Sequence, residues 1–331
     1  MSRVLVTGGA GFIGSHVADA LLGRGHDVTV LDDLSGGFAD NVPVGARFVQ
    51  GSVTDPAAVD RLFADGRFEI VFHLAAYAAE GLSHFIKRFN YTNNVIGSVN
   101  LINASINTGV RCFVFTSSIA VYGNAATAMS EDSTPTPEDP YGIAKFAVEQ
   151  ELGTCLTMFG LRHVIFRPHN VYGPRQNIGD RYRNVVGIFM NQILQGQPMT
   201  IFGDGTQTRA FSYIDDVAPV IARAADLEAA WDGVYNIGAD ATSTLNDLAA
   251  AVAGAMGVEP RVVHLAARHE AHNARATHEK IARVFGAQRT TPLDVGLAKM
   301  AAWAKTHGAR SGAPFEGIEI TRNLPPSWVR T

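Results

Sequence analysis

An apolar run, Val4-Leu-Val6, passes at once into Thr7-Gly-Gly-Ala-Gly-Phe-Ile-Gly14. Glycines at 8, 11 and 14, with helical periodicity behind them, leave few folds open. A strand must end where a helix begins, and the turn between them must be nearly free of side chains. Such a turn lets backbone approach a pyrophosphate whose charge rests at the helix N-terminus. The spacing is GxxGxxG rather than GxGxxG, and the strand before it and helix after it supply the context the motif needs. About 20 residues further on, Asp32 follows a second apolar run, where a carboxylate can hydrogen-bond the ribose hydroxyls of a dinucleotide. Asp33 comes next. Two acids with no adjacent arginine would repel a 2′-phosphate, so the expected cofactor is NAD rather than NADP.

The first half of the chain alternates apolar strands with helical periodicity. Strands are expected at Val4–Thr7, Asp27–Leu31, Ala46–Val49, Glu69–Leu74, Arg111–Thr116 and His163–Arg167. Helices are expected at Phe12–Arg24, Pro56–Ala64, Ser83–Thr108 and Tyr141–Phe159. This order predicts an α/β chain with a Rossmann-type doubly wound parallel sheet. After Pro168, loops rich in Gly, Asn, Arg and Pro dominate 169–215. Short elements follow at Met199–Phe202, near Val217–Leu227, at Gly233–Ile237 and at Thr244–Met256. They predict a smaller, interleaved C-terminal substrate lobe. The expected division is 1–168 with about 207–230 as the NAD-binding domain, and 169–206 with 231–331 as the lobe. The tail Gly312–Thr331 is expected to pack on that lobe.

The 331 residues are 47% apolar and 18% charged, with a formal net charge of −4. No run of Lys or Arg predicts nucleic acid or an anionic membrane as partner. No apolar stretch reaches spanning length. Met1-Ser-Arg-Val enters a strand directly, which leaves no room for a signal peptide, so a cytoplasmic protein is expected. Cys112 and Cys155 lack partners at metal-ligand spacing and are expected as buried free thiols in a reducing compartment. His264, His269, His272 and His278 show no metal-site spacing either, and no metal is expected.

Tyr141 and Lys145 lie four apart in Pro140-Tyr-Gly-Ile-Ala-Lys, on one face of a first helical turn. A phenol is a poor base near neutral pH, but a neighbouring ammonium and a cationic nicotinamide both favour tyrosinate. Lys145 can also hold the nicotinamide ribose. Ser117 and Ser118 close the fifth strand. A serine there can bridge a substrate hydroxyl and the tyrosine, or merely cap the strand end.

These segments together resemble the extended short-chain dehydrogenase/reductases, and among them the nucleotide-sugar epimerases and dehydratases. The resemblance spans nearly the whole chain. It covers the N-terminal loop, His73-Leu-Ala-Ala76, Asn94-Val-Ile-Gly97 and the Ser-Tyr-Lys set. It continues through Arg167-Pro-His-Asn-Val-Tyr-Gly-Pro174 and Gly205-Thr-Gln-Thr-Arg-Ala-Phe-Ser-Tyr213. It implies Ser118, Tyr141 and Lys145 as the catalytic set. It implies NAD contacts from Gly8, Gly11, Phe12, Ile13, Gly14, Asp32, Asp33, Ser52, Val53, Leu74, Ala75, Ala76, Asn94, Tyr141, Lys145 and His169. It implies substrate contacts from Ser117, Ser118, Asn170, Arg209 and Arg268, the two arginines on a nucleotide diphosphate, where a guanidinium fork suits phosphate oxygens. Gly51-Ser52 stands where the family usually has Gly-Asp, so the adenine contact falls to Ser52 or the Val53 backbone. By the same resemblance, the helices at 83–108 and 141–159 pair two copies into a homodimer.

Family members that eliminate water or carbon dioxide carry an acid just after the strand-five serines. Here Ile119 and Ala120 stand there, and neither transfers a proton. The 3,5-epimerases of this family use a cysteine near 120 and a lysine in the sugar loop, both missing from this sequence. What remains needs only Ser, Tyr, Lys and NAD: 4-epimerisation of a nucleotide-diphosphate sugar, with a UDP-sugar favoured. The sugar is of the UDP-glucose/UDP-galactose type, with N-acetylated and uronate forms left open. Ala274 in the sugar pocket would admit an N-acetyl group, and Arg275 there would suit a uronate. The alternatives are a nucleotide-sugar dehydratase or other epimerase and, from another class, a redox-silent NAD-binding sensor.

Overall fold

The computed structural model describes residues 1–124, 127–268, 273–312 and 315–328. Val4, Leu5 and Val6 are fully buried in β1 (Arg3–Thr7). A strand that is apolar on both faces needs cover on both, and the elements that follow supply it. They are α1 (Phe12–Gly23), β2 (Asp27–Asp32), β3 (Arg47–Gln50), α2 (Pro56–Gly66), β4 (Ile70–His73), α3 (Glu80–Ser83), α4 (Lys87–Tyr91) and α5 (Gly97–Thr108). Next come β5 (Cys112–Thr116), α6 (Pro140–Phe159), β6 (Arg162–Pro168), β7 (Val171–Tyr172), α7 (Val185–Leu194), β8 (Met199–Phe202), β9 (Thr208–Ala210), β10 (Ser212–Tyr213) and α8 (Ile214–Ala222). The chain continues through β11 (Gly233–Ile237), β12 (Thr242–Thr244), α9 (Leu245–Met256), β13 (Val262–Leu265), β14 (Asn273–Ala274), α10 (Glu279–Phe285) and α11 (Leu293–His307).

Seven parallel strands form one sheet in the order β11-β6-β5-β4-β1-β2-β3. Alternation sends Val4, Val6, Phe72, Val114 and Phe166 to the face covered by α1 and α8. Leu5, Val71, Phe113 and Ile165 go to the face covered by α2, α5 and α6. The expected doubly wound α/β sheet is therefore present. Strand order reverses between β1 and β4, and a crevice opens there at the carboxyl ends of the strands. Smaller sheets gather beyond it: β13 with β8, and β9 between β12 and β14.

Three expectations need correction. Gly233–Ile237, assigned above to the lobe, is the seventh strand of the large sheet: Val234 pairs with Ile165 and Tyr235 with Phe166. α8 packs on α1, which returns the chain to the open edge of β6, where Tyr235 and Ile237 become buried. The single helix expected over 83–108 is broken, with Thr92–Ile96 winding as a wider π turn between α4 and α5. There Asn90 donates to the Pro140 carbonyl at 2.8 Å, and Asn94 donates to Asn90 Oδ1 at 2.8 Å and to the Tyr77 carbonyl at 3.1 Å. Side chains thus bind the segment to its neighbours, as such turns commonly do near functional sites. The third is partial: the tail packs on the lobe, where Trp328 meets Tyr182 and Phe202, but also on the segment from Tyr77 to Phe89. Phe315 meets Tyr77 and Phe89, and Glu319 accepts from the backbone amides of Arg88 and Phe89 at 2.9 and 3.0 Å. Beyond these, α7, α10 and α11 arise where no helix was expected. No helix among the described residues is long and apolar enough to cross a membrane.

Candidate active site

The turn from β1 to α1 leaves no space for side chains at two of its glycines. A Cβ on Gly8, whose φ is +71°, would lie 2.7 Å from the Ala75 nitrogen, and one on Gly14 would lie 2.1 Å from the Gly8 carbonyl oxygen. Gly11 precedes α1 and supplies no side-chain cap, so no side chain occupies the helix N-terminus. Asp32 closes β2. Its carboxylate accepts from the amides of Ala10 at 3.0 Å and Leu34 at 2.8 Å, while burial pushes its pKa up. Asp33 is more exposed and accepts from the Ser35 amide at 2.9 Å.

From this turn a cleft of about 340 Å³ runs to the ends of β4, β5 and β6. Gly8, Gly11, Phe12, Ile13, Gly14, Asp32, Asp33, Val53, Leu74, Ala75 and Ala76 line its first part. Ser117, Ser118, Tyr141, Lys145 and Asn170 line the rest. A bare glycine turn, an uncapped helix start and a ribose-height carboxylate in one cleft fit a dinucleotide such as NAD.

Asp139 caps α6 by accepting from the Gly142 amide at 2.9 Å, and Pro140 takes the first helical position, where its missing amide costs nothing. Tyr141 and Lys145 follow on the cleft-facing side. Lys145 Nζ donates to the Thr116 carbonyl at 2.9 Å and lies 4.7 Å from the centre of the Phe115 ring and 5.8 Å from that of Tyr141. Burial lowers its pKa to about 7, and the charge of Glu149 opposes that shift. Burial raises the Tyr141 phenol, the charge of Glu80 adds to this, and a hydrogen bond with Ser118 works against both. Ser118 Oγ also accepts from the Ala120 amide at 3.1 Å.

Behind these residues lies a buried polar chain. Ser117 Oγ donates to Glu149, Arg167 grips both Glu149 oxygens, and Arg167 also donates to the Tyr122 hydroxyl at 2.7 Å. Tyr122 donates to Asn236 Oδ1 at 2.8 Å, and Asn236 reaches the Met129 carbonyl at 3.1 Å.

Several residues named from the sequence lie elsewhere or turn their side chains away from the cleft. The Ser117 hydroxyl turns to Glu149 rather than to the cleft. Ser52 bonds Thr54 at 2.9 Å, and its neighbours Gly51 and Val53 line the cleft in its place. Asn94 is buried behind the cleft wall, where it fixes the Tyr77 backbone. His169 is buried against His278, with ring centroids 5.2 Å apart and Nε2 to Nε2 at 3.1 Å. Burial and that second ring lower the His169 pKa to about 4. Arg209 donates to the Thr208 carbonyl at 2.8 Å, and Arg268 lies 4.5 Å over the Phe202 ring; both sit on the lobe beyond the cleft lining. Arg275 is exposed, its backbone pairing with Met129, and the Ala274 side chain is outside the described ones. His269 and His272 lie outside the described residues, among which no metal-binding cluster occurs.

The cleft also holds residues that sequence reasoning passed over: Ser35, Gly36 and Gly37, Tyr77 and Glu80, Gln176 and Asn177, and Arg183. The glycine pair after Asp33 carried a signal. A Cβ on Gly37 would lie 2.5 Å from the Ala10 carbonyl, so this turn folds back on the first glycine loop. The others belong to no local pattern. Arg183 pairs with Asp180 at 2.6 Å and lies 4.8 Å over the Tyr77 ring, a placement set by folding of distant segments.

The NAD dependent epimerase/dehydratase family model matches residues 4–238. A UDP-glucose 4-epimerase of Mycolicibacterium smegmatis is 37% identical over 306 residues, 90% of this chain and 96% of that one. The crystal structure of UDP-glucose 4-epimerase from Thermotoga maritima with UDP-glucose superposes with a TM-score of 0.87 at 34% identity, covering 92% and 99% of the two chains. UDP-glucuronic acid 4-epimerase from Bacillus cereus, with UDP-glucuronic acid and NAD, gives 0.84 at 30% identity over 92% and 99%.

Proposed function

The chain belongs to the NAD dependent epimerase/dehydratase family, and from that premise we propose that it inverts C4 of a nucleotide-diphosphate sugar, with a UDP-sugar favoured. One observation carries the reading. Ser118, Tyr141 and Lys145 meet in the same cleft as the glycine turn and Asp32, while the next positions, Ile119 and Ala120, hold no acid. NAD, when bound, supplies a reversible hydride acceptor, so that C4 passes through a ketone and can be reduced from the opposite face. The glycine turn and the amides at the start of α1 hold its pyrophosphate, and Asp32 its ribose. Tyr141 takes the proton from the C4 hydroxyl and returns it, and Ser118 orients that hydroxyl. Lys145, when protonated, lowers the phenol that burial has raised. Asn170 binds the substrate from the cleft wall. Arg209 and Arg268 are its proposed diphosphate anchors from the lobe.

Tyr141→Phe tests this directly. Turnover is expected to fall by about 10²- to 10⁴-fold with NAD still bound. Unchanged turnover contradicts the role of the phenol, and no turnover in either form favours the sensor.

Three coarser features complete the proposal. Residues 1–168, α8 and β11 form the cofactor-binding part, with the remaining C-terminal elements as the substrate lobe. Two copies pair through α6 and α5 with the turn that precedes it, where Ile143 of α6 and Ile96 of that turn are 42% and 52% exposed. A monomeric mass at micromolar concentration contradicts this pairing. Two buried unpaired thiols, Cys112 and Cys155, accord with a reducing cytoplasm; recovery from an oxidising compartment in cell fractionation argues otherwise.

A further inference from the structure

We infer that Arg183 is a cofactor-binding residue: its guanidinium closes over the diphosphate of NAD and slows release of the dinucleotide. The role stands on the NAD site alone and goes beyond the sugar reaction. Strand order supplies the frame. β1 lies between β4 and β2, so the glycine turn after β1 is flanked by the segments that leave those two strands. Both flanks are packed hard against it. A Cβ on Gly8 would lie 2.7 Å from the nitrogen of Ala75, which comes shortly before Tyr77, and a Cβ on Gly37 would lie 2.7 Å from the Gly11 nitrogen. Arg183 reaches both flanks. Its Cζ is 4.8 Å from the centre of the Tyr77 ring, and a Cβ on Gly36 would lie 2.9 Å from its Nη2 and 3.4 Å from its Nη1. A guanidinium that meets Tyr77 on one flank and Gly36 on the other crosses the cleft over the glycine turn, where a dinucleotide carries its diphosphate.

The segment that carries Arg183 is fixed in place. Asp180 accepts from Arg183 Nε at 2.6 Å and from the Tyr182 amide at 2.9 Å. The Tyr182 hydroxyl accepts from the Phe315 amide at 3.1 Å, and Asn177 donates to the Gly36 carbonyl at 3.5 Å. The guanidinium is thus anchored through Nε, while among the described residues neither Nη nitrogen has a hydrogen-bond partner. Those two nitrogens form the fork that suits a pair of phosphate oxygens. The other charged residues of the cleft wall do not compete for this role. Asp32, Asp33 and Glu80 are acids, and Lys145 is turned to the Thr116 carbonyl at the end of β5. On one side the diphosphate meets the backbone amides that open α1, and on the other Arg183 supplies a full positive charge. Release of the dinucleotide then waits for the guanidinium to swing off Gly36.

Release of NAD from the full-length protein tests this with no sugar present. The protein is loaded with NAD and desalted, and the NAD set free is followed over time by an enzymatic cycling assay. Arg183→Gln is expected to release NAD about ten- to a hundredfold faster than the native protein. Arg183→Lys should fall between them, because it keeps the charge and loses the fork. Without NAD, Arg183→Gln should unfold at the native temperature; with equal NAD added, it should unfold at a lower one. Release at the native rate from Arg183→Gln overturns the role. Should that variant fail to fold, Arg183→Lys decides, and native-like release from it overturns the role as well. Calorimetric titration with UDP at saturating NAD separates the second diphosphate that the cleft could take. Equal UDP affinity in native protein and variant is expected. A variant that retains NAD but loses UDP shows the guanidinium serving the sugar nucleotide instead, and overturns the role. If neither form binds UDP, the UDP-sugar reading fails while NAD release still decides the role of Arg183. A native protein that holds no NAD overturns both.

Discussion

Burial disfavours charge on the Lys145 ammonium, and Glu149, four residues on, only partly restores it. The consequence for stability has a definite sign. Below about pH 7 Lys145 is protonated in both folded and unfolded chains, and the folded state bears the full cost of the buried charge. Between pH 7 and the ordinary value of 10.5 the unfolded chain binds the extra proton, so this cost fades as pH rises. Lys145→Met, without cofactor, is therefore expected to raise the urea midpoint at pH 6, with the gain shrinking by pH 10. A gain independent of pH would contradict the assignment. At this scale the sequence was legible wherever spacing alone places a group. Gly8, Gly14, Asp32, Tyr141 and Lys145 sit at fixed offsets within one turn or one helix face. Glu80, Arg183 and Tyr77 escaped notice because long-range packing brings them to the cleft, and His169 was misplaced because its partner, His278, lies 109 residues away in the chain.

Among the elements, α6 connects chemistry to scaffold. One side of its first turns carries Tyr141 and Lys145, and one turn later Glu149 anchors the polar chain through Arg167, Tyr122 and Asn236 to the segment around Met129. The side chains of Arg167 and Glu149 are 4% and 3% exposed, so neither charge has water to fall back on. Arg167→Met leaves the carboxylate with the Ser117 hydroxyl as its remaining donor. It is expected to cost about 3–5 kcal/mol in chemical denaturation, and a loss below about 1 kcal/mol would mean that Glu149 simply takes up a proton. Elements with clean periodicity were read from the sequence to within a few residues, α6 and β1 to β6 among them. The break at Thr92–Ile96 was not, because Asn90 and Asn94 interrupt the helix through bonds to α6 and to Tyr77, and nothing local announces them. β11 was recognised as a strand but given to the wrong layer, since sheet membership depends on α8 bringing the chain back to β6.

For the molecule as a whole, the cleft is made by the sheet on one side and by chain that returns from far away on the other. Phe315, Glu319 and Trp328 brace the stretch from Tyr77 to Phe89, and Trp328 also meets Tyr182 and Phe202. A tail expected to pack on the lobe therefore also supports the wall that carries Glu80 and Tyr77, which no reading of its own composition would reveal. The whole assembly serves one reaction: a single cleft oxidises and re-reduces C4 without net redox change or loss of atoms. Proton NMR of the purified protein with UDP-glucose, and no added cofactor, reads that reaction in one experiment. A second anomeric doublet, that of the 4-epimer, is expected to grow to a constant ratio from either starting sugar. A keto or unsaturated product, or a spectrum that never changes while NAD is bound, would contradict it.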